Sequence, residues 1–293
     1  MNILGIFPFR GGALKPLAGL IPAAIRHLNT CPPPPPPIER TLKIGQHKVN
    51  FVEAGAGAKG VILLPGALGT AWTDFKPQIE QLPVLLPNHK IIAWDPPGYG
   101  KSRPPEKEFG LDFYERDAEA AAGLMEKMGF GGGFSVAGWS DGGITGMILA
   151  GRKPSQVEKL VIWGSNAYIA PKEAEIYESM GCFGFLFDLS GVDCNDTLHQ
   201  NVLFLLSDIR DVSKWSARMR EPMEKVYGVD GFPKVWSAWV DGMLGIYKHR
   251  NGDICKELLD KILAPTFILH GAKDPMIVPE HVPHLQSSIA NTS

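Results

Sequence analysis

Gly138-Trp139-Ser140-Asp141-Gly142 is the stretch whose residue types and spacing can do chemistry. A G-x-S-x-G pattern does so where a strand turns tightly into a helix. The apolar run Phe134-Ser135-Val136-Ala137 precedes it and Gly143-Ile144-Thr145-Gly146-Met147-Ile148-Leu149-Ala150 follows, which predicts strand, turn and helix. In such an elbow the serine backbone is strained and its hydroxyl is lifted to the top of a sheet as a nucleophile. Gly138 and Gly142 are then required, because a side chain at either position would strike the neighbouring strand or helix. The N–H of Asp141 opens the helix and can face a developing oxyanion. With 33 glycines in the chain, the bare pattern also arises by chance in a loop. The flanking strand and helix are what favour the elbow.

The elements that must position this turn are legible as alternating apolar runs. Leu42-Lys43-Ile44 and Val49-Asn50-Phe51-Val52 read as an opening hairpin. Val61-Ile62-Leu63-Leu64 and Ile91-Ile92-Ala93-Trp94 are uninterrupted, the mark of strands buried on both faces. Helices are predicted over 72–86 and over 112–129, where Phe113, Ala120, Leu124 and Met128 recur at helical spacing. Leu160-Val161-Ile162-Trp163 and Thr266-Phe267-Ile268-Leu269 supply two more strands. Strands alternating with helices imply a mostly parallel sheet covered on both faces, an α/β fold. Residues 171–258 break the alternation: Trp215, Met219, Met223 and Val226, then Val235, Trp239, Met243 and Ile246, mark a helical cap inserted before the last clear strand. The cap tryptophans read as packing or as pocket lining.

Composition bounds the rest. The 293 residues are 44% hydrophobic and 20% charged, ordinary for a globular protein with a core. A formal charge of −2 suggests no nucleic-acid partner. Cys31, Cys182, Cys194 and Cys255 have no metal spacing, so thiols are expected and neither metal nor organic cofactor is. No apolar run is long enough for a transmembrane helix, and a monomer acting on a small-molecule ester is expected. The domain reading is a tail over 1–37, a core over 38–170 and 259–293, and a cap over 171–258. The tail has Arg10, Lys15 and Arg26 and no acid before Glu39, the composition of a mitochondrial presequence or of a plain disordered tail in a cytoplasmic protein. Six prolines, Pro32 to Pro37, form an extended spacer before the core.

Several segments together resemble the α/β-hydrolase family, and within it a branch that hydrolyses α-amino-acid esters. They are Leu64-Pro65-Gly66-Ala67-Leu68-Gly69, Trp94-Asp95-Pro96-Pro97-Gly98-Tyr99-Gly100, the elbow itself, Val161-Ile162-Trp163-Gly164-Ser165-Asn166-Ala167-Tyr168, Ile209-Arg210-Asp211-Val212-Ser213-Lys214-Trp215-Ser216 and His270-Gly271-Ala272-Lys273-Asp274-Pro275. The resemblance implies Ser140 as nucleophile and Asp274 as the acid that orients a histidine, although Asp274 also reads as a turn or cap aspartate before Pro275. It implies the N–H of Leu68, with Ala67 as the neighbouring alternative, as the second oxyanion donor beside Asp141. It gives the Asp141 side chain to a substrate ammonium; on physics alone that carboxylate also suits a helix N-terminus.

Two departures qualify the resemblance. Nineteen residues follow Asp274, and a helix of about 11, a strand of about 5 and their connections use them up before the family's catalytic histidine would appear. The last strand and closing helix are expected to be missing, and a truncated, catalytically impaired isoform is the alternative function. His281, His284, His270, His249 and His199 are each poorly placed to serve as the base. The segment 181–207 has no counterpart in the family pattern and reads as a cap insert or a splicing product. Pro97 stands where the family pattern carries Arg.

Overall fold

A computed structural model describes residues 34–178, 210–274 and 276–293. The expected tail up to residue 33, the insert 181–207, Cys31, Cys182, Cys194 and His199 lie outside the described residues. The opening hairpin forms as the alternation predicts, with β1 (Ile38–Ile44) antiparallel to β2 (His47–Ala54) across a turn at Gly45, φ +56°. Five further strands follow: β3 (Lys59–Leu64), β4 (His89–Trp94), β5 (Phe134–Trp139), β6 (Val157–Trp163) and β7 (Thr266–Leu269). β2 pairs antiparallel with β4, and every pairing beyond β4 is parallel. The sheet order is β1-β2-β4-β3-β5-β6-β7.

Helices cover both faces. They are α1 (Ala71–Leu85), α2 (Phe113–Met125) and α3 (Asp141–Arg152). The apolar run of β3 is explained by its two environments. Ile62 and Leu64 join the large core that includes α2 and α3, while Val61 and Leu63 join Ala71, Phe75 and Ile79 of α1. Complete burial of Phe75 and Ile79 contributes about 1.5–3 kcal/mol each. The helix predicted to reach residue 129 ends earlier. Beyond Met125 the backbone widens into a π turn, Glu126–Phe130, where Gly129 at φ +89° stops the helical path.

Between β6 and β7 lie α4 (Pro171–Glu178), α5 (Ala217–Tyr227) and α6 (Gly231–His249). Within α6 Trp236 stacks on Trp239 at 4.8 Å; Trp215, ahead of α5, meets Trp236 edge-on at 4.8 Å, and Tyr177 of α4 meets Trp239 edge-on at 5.8 Å. After β7 comes α7 (His281–Ser288), shorter than expected at 8 residues. Its shortness lets 291–293 reach the flank of β7, where Thr266 N–H bonds the Asn291 carbonyl at 2.7 Å and Ile268 N–H bonds the Ser293 carbonyl at 3.1 Å.

Candidate active site

Ser140 sits between β5 and α3 at φ 52°, ψ −120°. A non-glycine residue there is strained and persists only where its surroundings over-determine it. Those surroundings are explicit. The Ser140 N–H bonds the Trp163 carbonyl at 3.0 Å, tying the turn to the end of β6. The Ser140 carbonyl accepts from Gly143 N–H at 2.8 Å and from the Ser165 hydroxyl at 3.0 Å. A Cβ on Gly138 would lie 2.2 Å from the Gly142 carbonyl oxygen, and one on Gly142 would lie 1.9 Å from that of Leu64. Helix and neighbouring strand are thus the two obstacles expected from the sequence.

The loop after β3 faces this turn. A Cβ on Gly66 would stand 3.4 Å from Ser140 Cβ. The loop forms a turn closed by Gly69 N–H to the Gly66 carbonyl at 3.0 Å, with Ala67 and Leu68 at its centre. Leu68 is also left-handed, at φ 58°. Both flanks are held by buried aspartates. Asp74 Oδ2 accepts Gly66 N–H at 3.0 Å, and Asp95 Oδ1 accepts Ala71 N–H at 2.9 Å. Burial pushes the Asp74 carboxyl up to about 6 and raises that of Asp95. Sequence reasoning missed both, although Asp95 lies within the quoted Trp94-Asp95-Pro96 segment. Pro97 offers its carbonyl to Lys107 Nζ at 3.3 Å, and that ammonium also meets Asp117 at 2.6 Å.

Asp274 follows β7 on the same edge of the sheet. Its Oδ1 accepts the N–H groups of Met276 and Ile277 at 2.9 and 3.0 Å, so it does cap its own turn. Its Oδ2 lies over Gly164, 3.4 Å from where a Cβ there would stand, and the Trp139 indole nitrogen lies 3.5 Å from the same point. Ser140, Gly164 and Asp274 thus mark the carboxyl ends of β5, β6 and β7. The Asp274 carboxylate, carried by the segment after β7, reaches back over the end of β6, the strand next to β5. Among the described residues no histidine is hydrogen-bonded to Ser140 or Asp274. His281 is taken up by Glu173 at 2.9 Å rather than pointing along the sheet edge, and His284 packs edge-on against Tyr168 at 5.0 Å.

Asp141 opens α3 and is buried. Its Oδ2 accepts the Trp239 indole N–H at 2.7 Å, and it pairs with no Lys, Arg or His among the described residues. Burial pushes its carboxyl up to about 7. Packing therefore describes only half of Trp239, whose ring stacks while its N–H reaches down to the elbow. Tyr227 likewise leaves the cap to donate its hydroxyl to the Leu68 carbonyl at 2.7 Å. No local pattern marks either contact, because each joins residues about a hundred or more positions apart. Among the described residues, no cluster of His, Cys, Asp and Glu is arranged to hold a metal ion, and no helix is long and apolar enough to cross a membrane. Cys255 is a free, buried thiol.

A parallel sheet with a strained serine after β5, an acid after β7 and helices inserted between β6 and β7 is the architecture of an α/β hydrolase. The chain belongs to that family, whose α/β hydrolase fold profile matches residues 60–293. It is similar to Serine hydrolase BPHL of Homo sapiens, the valacyclovir hydrolase or biphenyl hydrolase-like protein, at 39% identity over 242 residues, 83% of this chain and 72% of that protein. Serine hydrolase BPHL of Mus musculus is 40% identical over 240 residues, covering 81% and 70%. Among solved structures, the 2-hydroxy-6-oxo-6-phenylhexa-2,4-dienoate hydrolase of Rhodococcus sp. strain RHA1 superposes with a TM-score of 0.62 at 19% identity, over 88% of this chain and 89% of that one. That last likeness speaks for the fold. The family and the two mammalian relatives make the chain a hydrolase.

Proposed function

We propose that the chain hydrolyses carboxylic esters of α-amino acids through an acyl-enzyme on Ser140. The observation that carries the substrate class is Asp141: a buried carboxylate one residue past the serine that forms no direct ion pair among the described residues, with Lys107 acting on it only at a distance. An isolated ionised carboxylate is costly to bury. A substrate ammonium would supply the missing charge and set the ester carbonyl beside the preceding residue. Ser140 Oγ then adds to the carbonyl carbon. The oxyanion gathers charge against the N–H groups of Asp141 and of Leu68 or Ala67. Collapse expels the alcohol with a proton, and water releases the amino acid from the acyl-enzyme. Asp274 is the acid of this scheme; it would orient an imidazole that takes the Ser140 proton and returns it to the alcohol, a group that none of the described histidines supplies.

A second reading draws on the described histidines, none of which is hydrogen-bonded to Ser140 or Asp274. It is a chain that binds amino-acid esters and turns them over slowly, with only oxyanion donors and positioning to accelerate the reaction. A fluorophosphonate label separates the two. Brisk labelling lost in Ser140→Ala supports the active hydrolase; labelling no faster than in Ser140→Ala supports the impaired one. Asp141→Ala tests the substrate class, since equal loss on amino-acid esters and simple acyl esters would reject ammonium recognition. A mitochondrial address is part of this proposal, supported by the acid-poor basic residues before Glu39. Failure of 1–37 to carry a fused reporter into mitochondria would remove it.

A further inference from the structure

We infer that Tyr227 is a positioning residue, which from the cap fixes the Leu68–Gly69 peptide and, through the turn that peptide closes, the oxyanion donor on the loop after β3. The inference rests on the proposed roles of Ser140 as nucleophile and Leu68 as donor. The flanks of the loop are held from the core, Gly66 by Asp74 and Ala71 by Asp95. Its centre is held differently. Leu68 carries a side chain at φ 58°, a conformation that L-residues disfavour and that needs outside support. The Tyr227 hydroxyl, donating to the Leu68 carbonyl at 2.7 Å, supplies that support. The Leu68 carbonyl shares its peptide plane with Gly69 N–H, which closes the turn on the Gly66 carbonyl at 3.0 Å, so anchoring that plane holds the turn and restrains the Leu68 N–H one α-carbon away.

Tyr227 is itself anchored well enough to act as a fixed point. It is 8% exposed, the Arg103 guanidinium lies 4.5 Å from its ring centroid, and Tyr99 meets it edge-on at 6.4 Å. Arg103 also donates to the carbonyl of the adjacent Val226 at 2.7 Å. The other proposed donor residue, Asp141, receives a cap hydrogen bond too, from Trp239 on α6. That second bond ends on the Asp141 side chain, so it is the Leu68–Gly69 peptide that a shift of α5 relative to the sheet would reach directly.

Tyr227→Phe tests this, because it keeps the ring and its contacts with Arg103 and Tyr99 and removes only the hydroxyl. Hydrolysis of an α-amino-acid p-nitrophenyl ester and of p-nitrophenyl acetate gives kcat and KM. Hydrogen–deuterium exchange over 66–71 follows the loop without turnover. We expect kcat to fall about tenfold on both esters with KM unchanged, a smaller loss than removal of an oxyanion donor itself. Exchange over 66–71 should quicken while that over β3 stays fixed. Unaltered kcat, a loss confined to KM or to the amino-acid ester, or unaltered exchange over 66–71 would each overturn the inference. Ser140→Ala, run alongside, addresses the underlying reading by itself. Undiminished hydrolysis there removes the nucleophile and the inference with it. Hydrolysis lost in Ser140→Ala but retained in full by Tyr227→Phe removes the inference alone.

Discussion

His281 Nε2 lies 2.9 Å from Glu173 Oε1, and both side chains are completely buried. The same carboxylate accepts Val278 N–H at 3.1 Å and Ala170 N–H at 2.8 Å. One buried acid thus straps the start of the cap to the segment that follows Asp274 and to α7. Glu173→Ala would strand two amides and a ring nitrogen. We predict a loss of about 3–5 kcal/mol, read as a lower urea midpoint. Glu173→Gln keeps an acceptor oxygen and should lose about half as much.

Asp141 gives the reaction a pH signature. Its folded pKa is raised to about 7 by burial, against an unfolded value of about 3.9. Capture of an ammonium requires the ionised form. The preference for amino-acid esters over simple acyl esters, as a ratio of kcat/KM, should rise as pH passes through about 7. It should fall again above about 7.7, where an α-amino group loses its proton. A ratio flat between pH 5 and 7 would speak against the assignment.

The same shift has a stability consequence. Between the unfolded and folded pKa values the native state binds more protons than the unfolded chain. The contribution of Asp141 therefore favours folding at acid pH and is lost as pH rises from about 4 to about 7. Asp74, raised to about 6, acts in the same sense. Asp141→Asn removes the ionisable group while keeping an acceptor for Trp239. It should melt higher than the parent at pH 8, by a few degrees, while losing preference for amino-acid esters.

Two glycine substitutions separate steric need from conformational need. Gly142→Ala would drive a methyl to 1.9 Å from the Leu64 carbonyl oxygen, backbone that cannot step aside. A loss of more than about 4 kcal/mol is expected, visible as insoluble expression. Gly129, at φ +89°, has open space around it. Gly129→Ala meets only the backbone penalty of about 1–2 kcal/mol and should yield a soluble protein with a slightly lower melting temperature.

The strands and most of the helices were legible because their causes are local. The four-residue run 61–64 announces burial on both faces, and Val235, Trp239, Met243 and Ile246 announce a helical face. The end of α2 was misjudged because Met128 continues the helical spacing while Gly129 leaves it, and apolar spacing does not register a positive φ. The pairing of Glu173 with His281 was missed for another reason: each is unremarkable in its own segment, and 108 residues separate them.

By itself, then, the sequence determined the layering of the sheet, the elbow with its obligatory Gly138 and Gly142, and an acid after the last clear strand. Each depends on short-range sterics or on the period of apolar residues. Only the tertiary structure decided what the polar side chains do once buried. Trp239 reaches Asp141, Tyr227 reaches Leu68, Asp74 and Asp95 hold the loop between them, and Glu173 straps α7. A buried polar group must find a partner wherever the fold brings one, and that requirement leaves no periodic trace along the chain.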